Sequence, residues 1–234
     1  MTNWQVEADP AAVAEAACRH IAMAAGKAIA ARGRFRLVLA GGQTPLAAYR
    51  RLALSDQDWP AWSLYYGDER CLPDGHPERN SVMVADTGLA ARAGEHFPIP
   101  VGDGCEQAAD AYTAIVDRAD LFDLVVLGIG EDGHTASLFP GHSWPRRPVF
   151  AIDDSPKPPS ARVTLSIATL QRSRAVLVLV SGAGKAPAVT HWRNGDALPI
   201  AQVTSARETD VIIARESLPA AAQSSVAPHV VRTS

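Results

Sequence analysis

Cysteine is scarce in this chain, which has only Cys18, Cys71 and Cys105 among its 234 residues. Three widely separated cysteines are too few for a disulfide framework, and they lack the spacing of a zinc site. The sequence therefore predicts a protein of a reducing compartment that carries no metal.

Long apolar runs and an excess of basic charge are also missing. The N-terminal segment MTNWQVEADP has no basic stretch followed by an apolar core, and the aliphatic run at residues 176–180 is far too short to cross a bilayer. The net charge of −3 provides no field for a polyanion, because nucleic-acid affinity depends on dense Lys and Arg. We expect a cytoplasmic protein with neither membrane nor nucleic acid as partner, but a small phosphate needs only a few local cations.

What the chain does have is ordinary globular composition, with 47% hydrophobic and 20% charged residues. Its length suits one large α/β domain or two small ones, and no segment forces a second domain. We predict one domain over residues 1–234, with a loose C-terminal tail from about residue 222. The oligomeric state is left open between a monomer and a weak homodimer.

Helical and extended patterns alternate along the chain. Residues 10–32 follow Asp9-Pro10 and end at Gly33, which is typical of a capped helix, and residues 35–42 form a buried strand before a helix at 44–54. A strand and its exit loop are predicted over residues 62–70, and further strands at 123–130, 162–170, 175–182 and 210–214. Helices are predicted at 81–92, 106–119 and about 185–192. This order predicts an α/β fold with a mainly parallel sheet covered on both faces, and a proline-rich loop at 153–162.

Glycine turns follow two of the predicted strands. AGGQTP places Gly41 and Gly42 before Thr44 at a helix start, where backbone N–H groups and the helix dipole favour an anion. SGAGK places Lys185 at a second strand exit, within reach of the same anion. The alternatives are a plain strand-to-helix turn and a solvated lysine.

Three polar residues elsewhere are further candidates for binding a phosphate. Arg79 and Asn80 precede a predicted helix, where they either cap the helix or bind an oxyanion. Arg162 follows the proline-rich loop, and its alternative is a surface arginine. Several such groups together would neutralise a phosphate dianion better than one cation alone.

Acidic, basic and histidine side chains follow two other strands. Asp68 and Arg70 belong to GDER, for which an exposed turn with an internal salt bridge is the alternative. His134 belongs to GIGEDGH, two residues after Asp132. A neutral imidazole accepts a proton from water near pH 7, and a neighbouring aspartate fixes its tautomer. The sequence leaves open whether Asp68 or Asp132 is that partner.

Four segments resemble, in order, the motifs of the 6-phosphogluconolactonase family. They are GGQTPLAAYRRL, YYGDERCLPDGHPERNS, DLVVLGIGEDGHTASLFPG and LVSGAGKA, and the resemblance runs from about residue 35 to residue 195. It implies a Rossmann-like sandwich of the glucosamine-6-phosphate deaminase and ribose-5-phosphate isomerase type, without a nucleotide cofactor. It also implies hydrolysis of 6-phospho-D-glucono-1,5-lactone, a step of the oxidative pentose phosphate pathway, with His134 as base and no cofactor.

Two other functions are compatible with this fold. The deaminase branch is similar at Asp68, Asp132 and His134, but it typically has Asp-Glu-Tyr at GDER and a glutamate at the position of Phe139. Both departures favour the lactonase. A non-catalytic sugar-phosphate sensor is the second alternative, but no helix-turn-helix segment or basic face accompanies the motifs, and the Asp-Gly-His residues are intact.

Overall fold

The computed structural model describes residues 2–219, so the tail predicted from about residue 222 lies outside the described part. Its strands are β1 (Thr2–Glu7), β2 (Phe35–Leu39), β3 (Trp62–Tyr66), β4 (Asp68–Arg70), β5 (Glu95–His96), β6 (Phe122–Gly128), β7 (Val149–Ile152), β8 (Arg162–Leu165), β9 (Ser173–Val180) and β10 (Glu208–Ala214). Its α-helices are α1 (Pro10–Arg32), α2 (Gln43–Ala53), α3 (Asn80–Ala85), α4 (Cys105–Arg118), α5 (Ile167–Leu170), α6 (Ala186–Arg193) and α7 (Pro199–Thr204).

Helix α1 shows how the local sequence fixes an element. The Asp9 carboxylate accepts a hydrogen bond from the backbone N–H of Ala12 (2.8 Å), and Pro10 occupies the first turn. Gly33 ends the helix with φ of 70°, and its N–H donates to the carbonyl oxygen of Ile29. The helix predicted over residues 10–32 is confirmed.

Seven strands form one parallel sheet in the order β1-β10-β9-β6-β2-β3-β5. The chain runs from β2 outward to β3 and β5, then returns to β6 and continues in the other direction to β9 and β10. The predicted mainly parallel sheet is confirmed. The order reverses between β2 and β6, and a crevice at such a point, beyond the carboxyl ends of the strands, is where open α/β sheets bind ligands.

A small antiparallel sheet, β4-β8-β7, corrects the predicted exit loop at the end of residues 62–70, because residues 68–70 form a strand of their own. The chain leaves the large sheet at Gly67, whose N–H donates to Leu39 in the large sheet while its carbonyl accepts from Leu165 in the small one. GDER thus begins a second sheet, which carries Asp68 and Arg70 beside β8.

Other predicted boundaries were also wrong. The strand predicted at 162–170 ends at Leu165, because the Ser166 hydroxyl accepts from the N–H of Thr169 and starts α5. The helix predicted at 81–92 ends at Ala85. Strands β1, β5 and β7 and helix α7 were not predicted, since they are short or lie half-exposed at an edge.

Cys71 and Cys105 form a disulfide between the end of β4 and the start of α4, while Cys18 is a free thiol. This pair was not predicted, and a disulfide disagrees with the reducing compartment that the sequence predicts. The two cysteines are 34 residues apart in the sequence, and their Cα atoms lie 5.9 Å apart.

The core lies on both faces of the large sheet, where β2, β6 and β9 bury nearly every side chain. Helices α1 and α2 pack against each other and the sheet, and α4 packs beside β7 and β8. None of the helices between residues 2 and 219 combines the length and apolar character needed to cross a membrane. This core holds the strand ends, and therefore the site, in fixed relative positions.

Candidate functional site

A cavity of about 390 Å³ lies beyond the carboxyl ends of β2, β6 and β9, at the point where the strand order reverses. Most of the residues singled out from the sequence line it, namely Gly41, Gly42, Thr44, Asp68, Arg70, Asn80, His134, Arg162 and Lys185. We call it the upper cavity. Asp132 and Arg79 do not line it, and each contacts a neighbour of the cavity instead.

His134 is held by Asp132, which is its hydrogen-bonded partner. The Nδ1 atom lies 2.5 Å from the Asp132 carboxylate, and the same carboxylate oxygen accepts from the backbone N–H of His134. This pairing assigns the proton to Nδ1 and leaves Nε2, which has no hydrogen bond within residues 2–219, with a free lone pair. The ring packs on Phe139, with 4.8 Å between ring centroids.

Burial makes His134 a weaker base than an exposed histidine. Desolvation lowers its pKa below 6.5, and the positive charge of Lys157 acts in the same direction. The charges of Asp132 and Asp68 oppose this shift. The imidazole is therefore mainly neutral near pH 7, which is the state that accepts a proton.

The loop GIGEDGH is shaped around the histidine. A Cβ added to Gly130 would lie 2.0 Å from the Nδ1 atom of His134, so only glycine fits there. The N–H of Gly130 donates to the carbonyl of His134 (2.7 Å), and the Thr135 hydroxyl donates to that of Gly128 (2.8 Å). These bonds fix the position of the ring relative to β6.

Asp68 is buried and belongs to a separate network. One carboxylate oxygen accepts from the Asn80 side chain (3.0 Å), and the other accepts from the Ser137 hydroxyl (2.6 Å). No hydrogen bond joins it to His134 within the described residues. The geometry therefore favours Asp132 as the orienting carboxylate, while Asp68 acts on the histidine through charge.

Glu69 and Arg79 support the cavity from below. The fully buried Glu69 carboxylate accepts from the backbone N–H groups of Arg70, Asn80 and Ser81, at 2.6–2.9 Å. Arg79 lies 3.7 Å from Glu69, also pairs with Asp74, and is buried. The structure thus places Arg79 among structural ion pairs.

Two arginines approach the cavity from neighbouring positions of β4 and β8. Arg70 donates through Nη1 to the carbonyl of Glu78 (2.7 Å). Arg162 is buried, and its guanidinium donates to the carbonyls of Lys157, Pro158 and Pro159 at 3.0–3.2 Å. Arg162 therefore holds the proline-rich loop in place, while Nη2 of Arg70 makes no hydrogen bond to the described chain.

Another part of the cavity lining is suited to an anion. Gly42, with φ of 97°, precedes α2, whose first backbone N–H groups have no partner within the helix. The hydroxyls of Thr44 and Ser181 lie 2.6 Å apart and join two strand exits. Lys185 lines the same wall, and burial lowers its pKa while the Glu131 carboxylate opposes the shift.

The sequence missed the parts played by Ser137 and Glu69. Ser137 was not among the predicted site residues, although its hydroxyl donates to Asp68. The neighbouring Ala136 has a left-handed backbone conformation, with φ of 48°. The sequence could not predict this turn, because alanine rarely adopts that conformation. Among residues 2–219, no three His, Cys, Asp or Glu side chains are placed to hold a metal ion.

Comparison with known proteins gives a consistent family. Residues 8–213 match the family described as glucosamine-6-phosphate isomerases/6-phosphogluconolactonase. The chain is 40% identical over 195 residues to a 6-phosphogluconolactonase of Mycobacterium tuberculosis, covering 74% of this chain and 78% of that protein. It is 35% identical over 212 residues to that of Mycobacterium leprae, covering 82% and 85%.

Solved structures agree in fold. The 6-phosphogluconolactonase of Thermotoga maritima superposes with a TM-score of 0.83 at 27% identity, over 92% of this chain and 100% of that one. A monomeric glucosamine-6-phosphate deaminase superposes with a TM-score of 0.79 at 24% identity, over 92% and 98%, and so shares the fold. The chain therefore belongs to the glucosamine-6-phosphate isomerase/6-phosphogluconolactonase family.

Proposed function

We propose that this chain is a 6-phosphogluconolactonase that hydrolyses 6-phospho-D-glucono-1,5-lactone to 6-phospho-D-gluconate, in the oxidative pentose phosphate pathway. The observation that carries the proposal is the His134–Asp132 pair, with Nε2 unpaired, in a cavity whose lining also suits a phosphate. The 40% identity to a 6-phosphogluconolactonase over most of the chain supports the same activity.

In the proposed mechanism, Nε2 of His134 removes a proton from water as the water oxygen attacks the lactone carbonyl carbon. The new C–O bond gives a tetrahedral oxyanion and an imidazolium. When the intermediate collapses, the bond between the carbonyl carbon and the ring oxygen breaks, and the imidazolium returns the proton to that oxygen. Asp132 holds the Nδ1 proton throughout and stabilises the imidazolium.

Arg70 is the proposed oxyanion donor. It lines the cavity beside Asp68, and its partly exposed guanidinium retains donors that the protein does not occupy. A well-placed donor to a developing oxyanion contributes roughly 3 to 4 kcal/mol to transition-state stabilisation. Asp68 supplies the negative charge that keeps Arg70 and Arg162 from repelling one another across the site.

The phosphate is proposed to bind at the wall formed by Gly41, Gly42, Thr44 and Lys185. Backbone N–H groups at the start of α2 donate to its oxygens, and the lysine supplies charge. Asn80 packs against Gly41 and shapes this wall, since a Cβ on Gly41 would lie 2.0 Å from the Asn80 oxygen. Arg162 lines the cavity, and Arg79 supports it through Glu69.

Phe139 is the observation that disfavours deamination. The deaminase branch typically places an acid there, whereas this chain places a buried aromatic ring against His134 and Arg162. A ring cannot transfer the protons that opening a sugar and moving hydrogen between carbons require. Lactone hydrolysis needs only water, a base and a cation, without any cofactor.

The decisive experiment compares two substrates. Freshly prepared 6-phosphogluconolactone and glucosamine 6-phosphate are mixed with the protein, and acid and ammonia release are followed. We expect acid release well above the uncatalysed hydrolysis of the lactone and no ammonia. Ammonia release, or acid release at the uncatalysed rate, would reject the proposed activity.

The wider setting is part of the proposal. We propose a cytoplasmic enzyme, with one domain over the whole chain, that acts as a monomer or weak homodimer. Light scattering at assay concentration, combined with turnover, tests the oligomeric state.

A further inference from the structure

A second cavity lies at the other end of the strands, where β2, β3 and β5 begin. It has a volume of about 440 Å³, comparable with the upper cavity, and we call it the basal cavity. Its walls include Arg34 and Arg36 around the start of β2, Ser63 from β3, Glu95 from β5 and Arg118 at the end of α4. Because the strands are parallel, it lies one strand length, roughly 17 Å, from their carboxyl ends, where the upper cavity is.

The charge of the basal cavity is unbalanced. Three guanidinium groups, those of Arg34, Arg36 and Arg118, face it together with a single carboxylate, that of Glu95. Within residues 2–219, none of the three guanidinium groups forms an ion pair or a hydrogen bond with the protein. Beside them, Arg32 pairs with Asp123 at 2.6 Å, and the same carboxylate group accepts a hydrogen bond from the backbone N–H of Arg36 at 2.8 Å.

The one carboxylate is occupied by a different neighbour. Glu95 accepts a hydrogen bond from the Ser63 hydroxyl at 2.6 Å, and the two residues are paired between β3 and β5. Because Ser63 is buried, its hydroxyl donates to the Glu95 carboxylate and is not exposed to bulk water. The cavity therefore keeps a net charge of +2, with one carboxylate oxygen free to accept hydrogen bonds from hydroxyl groups.

The remaining wall is aromatic. Tyr65 and Phe97 stack on each other with 4.9 Å between centroids, and both line the cavity. Burial raises the pKa of the Tyr65 phenol, so it remains a neutral hydrogen-bonding group. The cavity therefore offers arginines that can bind phosphoryl oxygens, a carboxylate that can accept from hydroxyl groups, and an apolar wall that can contact a ring.

We propose that the basal cavity is a second binding site, for a small phosphate ester that carries at least two negative charges, free hydroxyl groups and a planar ring. A nucleoside diphosphate has this chemistry. Its phosphoryl groups bind the three guanidinium groups, its hydroxyls donate to Glu95, and its ring contacts Tyr65 and Phe97. The site is independent of the proposed lactonase activity.

The test is calorimetric titration of the full chain with adenosine 5′-diphosphate, pyrophosphate and adenosine at low salt. We expect the diphosphate to bind most tightly, pyrophosphate more weakly and adenosine most weakly. If adenosine binds as tightly as the diphosphate, the phosphoryl groups are not recognised and that part of the proposal fails. If pyrophosphate binds as tightly, the roles proposed for the hydroxyl groups and the ring fail. If none of the three ligands binds, the proposed site is rejected.

Two variants separate the basal cavity from the upper one. Arg34→Gln/Arg118→Gln removes two exposed guanidinium groups, and we expect it to weaken diphosphate binding roughly 100-fold, since each charge-assisted contact is worth about tenfold. Lys185→Ala removes the proposed phosphate ligand of the upper cavity and is expected to leave diphosphate binding unchanged. The reverse result would assign the diphosphate to the upper cavity and overturn the proposal.

Lactone turnover gives the matched control. The double variant is expected to hydrolyse the lactone at the wild-type rate and to unfold at a temperature no lower than that of the wild type, because both side chains are exposed and unpaired. Circular dichroism shows whether the double variant is folded. If it is not, diphosphate binding is measured on the single Arg34→Gln variant instead. If that folded single variant binds the diphosphate as tightly as the wild type, the proposal fails.

Discussion

The two ends of the strands of the central sheet carry ionisable side chains in different states. At the carboxyl ends, the proposed base and the buried carboxylate are held by protein partners: His134 by Asp132, and Asp68 by Asn80 and Ser137. At the amino edge, Arg34, Arg36 and Arg118 have no such partners within residues 2–219. Both cavities have similar volumes, so the difference lies in preorganisation and not in size.

This difference reflects what each edge has to do. A catalytic group must hold its geometry before the substrate arrives, because reorganising dipoles during the reaction would raise the barrier. A binding site for a polyanion needs only charge of the right sign, and a few mobile guanidinium groups supply it. Substitutions at the two edges should therefore have effects of different size and even of different sign.

The largest effect is expected at the base. His134→Ala removes the proton acceptor, and general acid–base catalysis typically contributes about 10² to 10⁴ to the rate. We expect kcat for the lactone to fall by that factor while the thermal unfolding temperature stays close to wild type. Arg34→Gln, measured in parallel, should keep full turnover; wild-type turnover in His134→Ala would remove the base assignment.

The next effect concerns stability beneath the upper cavity. Arg79→Gln leaves the fully buried Glu69 carboxylate without its cationic neighbour, and breaking a buried pair costs about 3 to 5 kcal/mol. We expect the free energy of unfolding in urea to fall by an amount in this range. An unchanged unfolding midpoint would show that the backbone N–H donors alone support the Glu69 charge.

Binding of the phosphate is expected to give a smaller effect. Lys185→Ala removes one charged contact that the ground state and the transition state share, so KM for the lactone should rise about 10-fold to 100-fold while kcat changes little. Steady-state kinetics at fixed ionic strength measure both constants. A fall in kcat without a change in KM would place Lys185 at the reacting carbon instead.

The pH profile sharpens the choice between the two aspartates. On the acid side, the fall of kcat/KM with pH reports the pKa of His134, because the protonated imidazole cannot accept a proton. Burial lowers this pKa below 6.5, so activity should be lost only at a pH below 6.5. Asp132→Asn removes the largest charge that raises this pKa, and the limb should move to lower pH. Asp68→Asn should move it less; the opposite ranking would make Asp68 the main electrostatic partner.

The sequence carried most of the fold because the signals were local. Asp9, Pro10 and Gly33 fixed the ends of α1, and continuous aliphatic runs fixed β6 and β9. The small sheet could not be predicted, since GDER follows the aromatic strand as an exit loop would, and only hydrogen bonds to distant residues show that it pairs as a strand. Such pairing is a property of the tertiary structure, which no local pattern records.

The same distinction applies to the site. Glycine turns and strand ends brought Gly42, Lys185 and His134 to one edge, because parallel strands align their carboxyl ends. The sequence placed Arg79 among the candidates for binding phosphate, whereas the structure buries it beside carboxylates and brings Arg70 to the cavity. The sequence also did not indicate the basal cavity, whose arginines come from the start of β2 and the end of α4.

The smallest expected effect has the opposite sign to that of Arg79→Gln. Arg34 lies near Arg36 and Arg118 without a carboxylate partner, so Arg34→Gln relieves like-charge repulsion and should raise the free energy of unfolding by about 0.2 to 0.5 kcal/mol at low salt. In about 1 M salt, where the screening length is about 3 Å, the gain should disappear. Urea unfolding at both salt concentrations measures it. Destabilisation at low salt would mean that Arg34 has a favourable contact, and the contrast between the two edges would then fail at this residue.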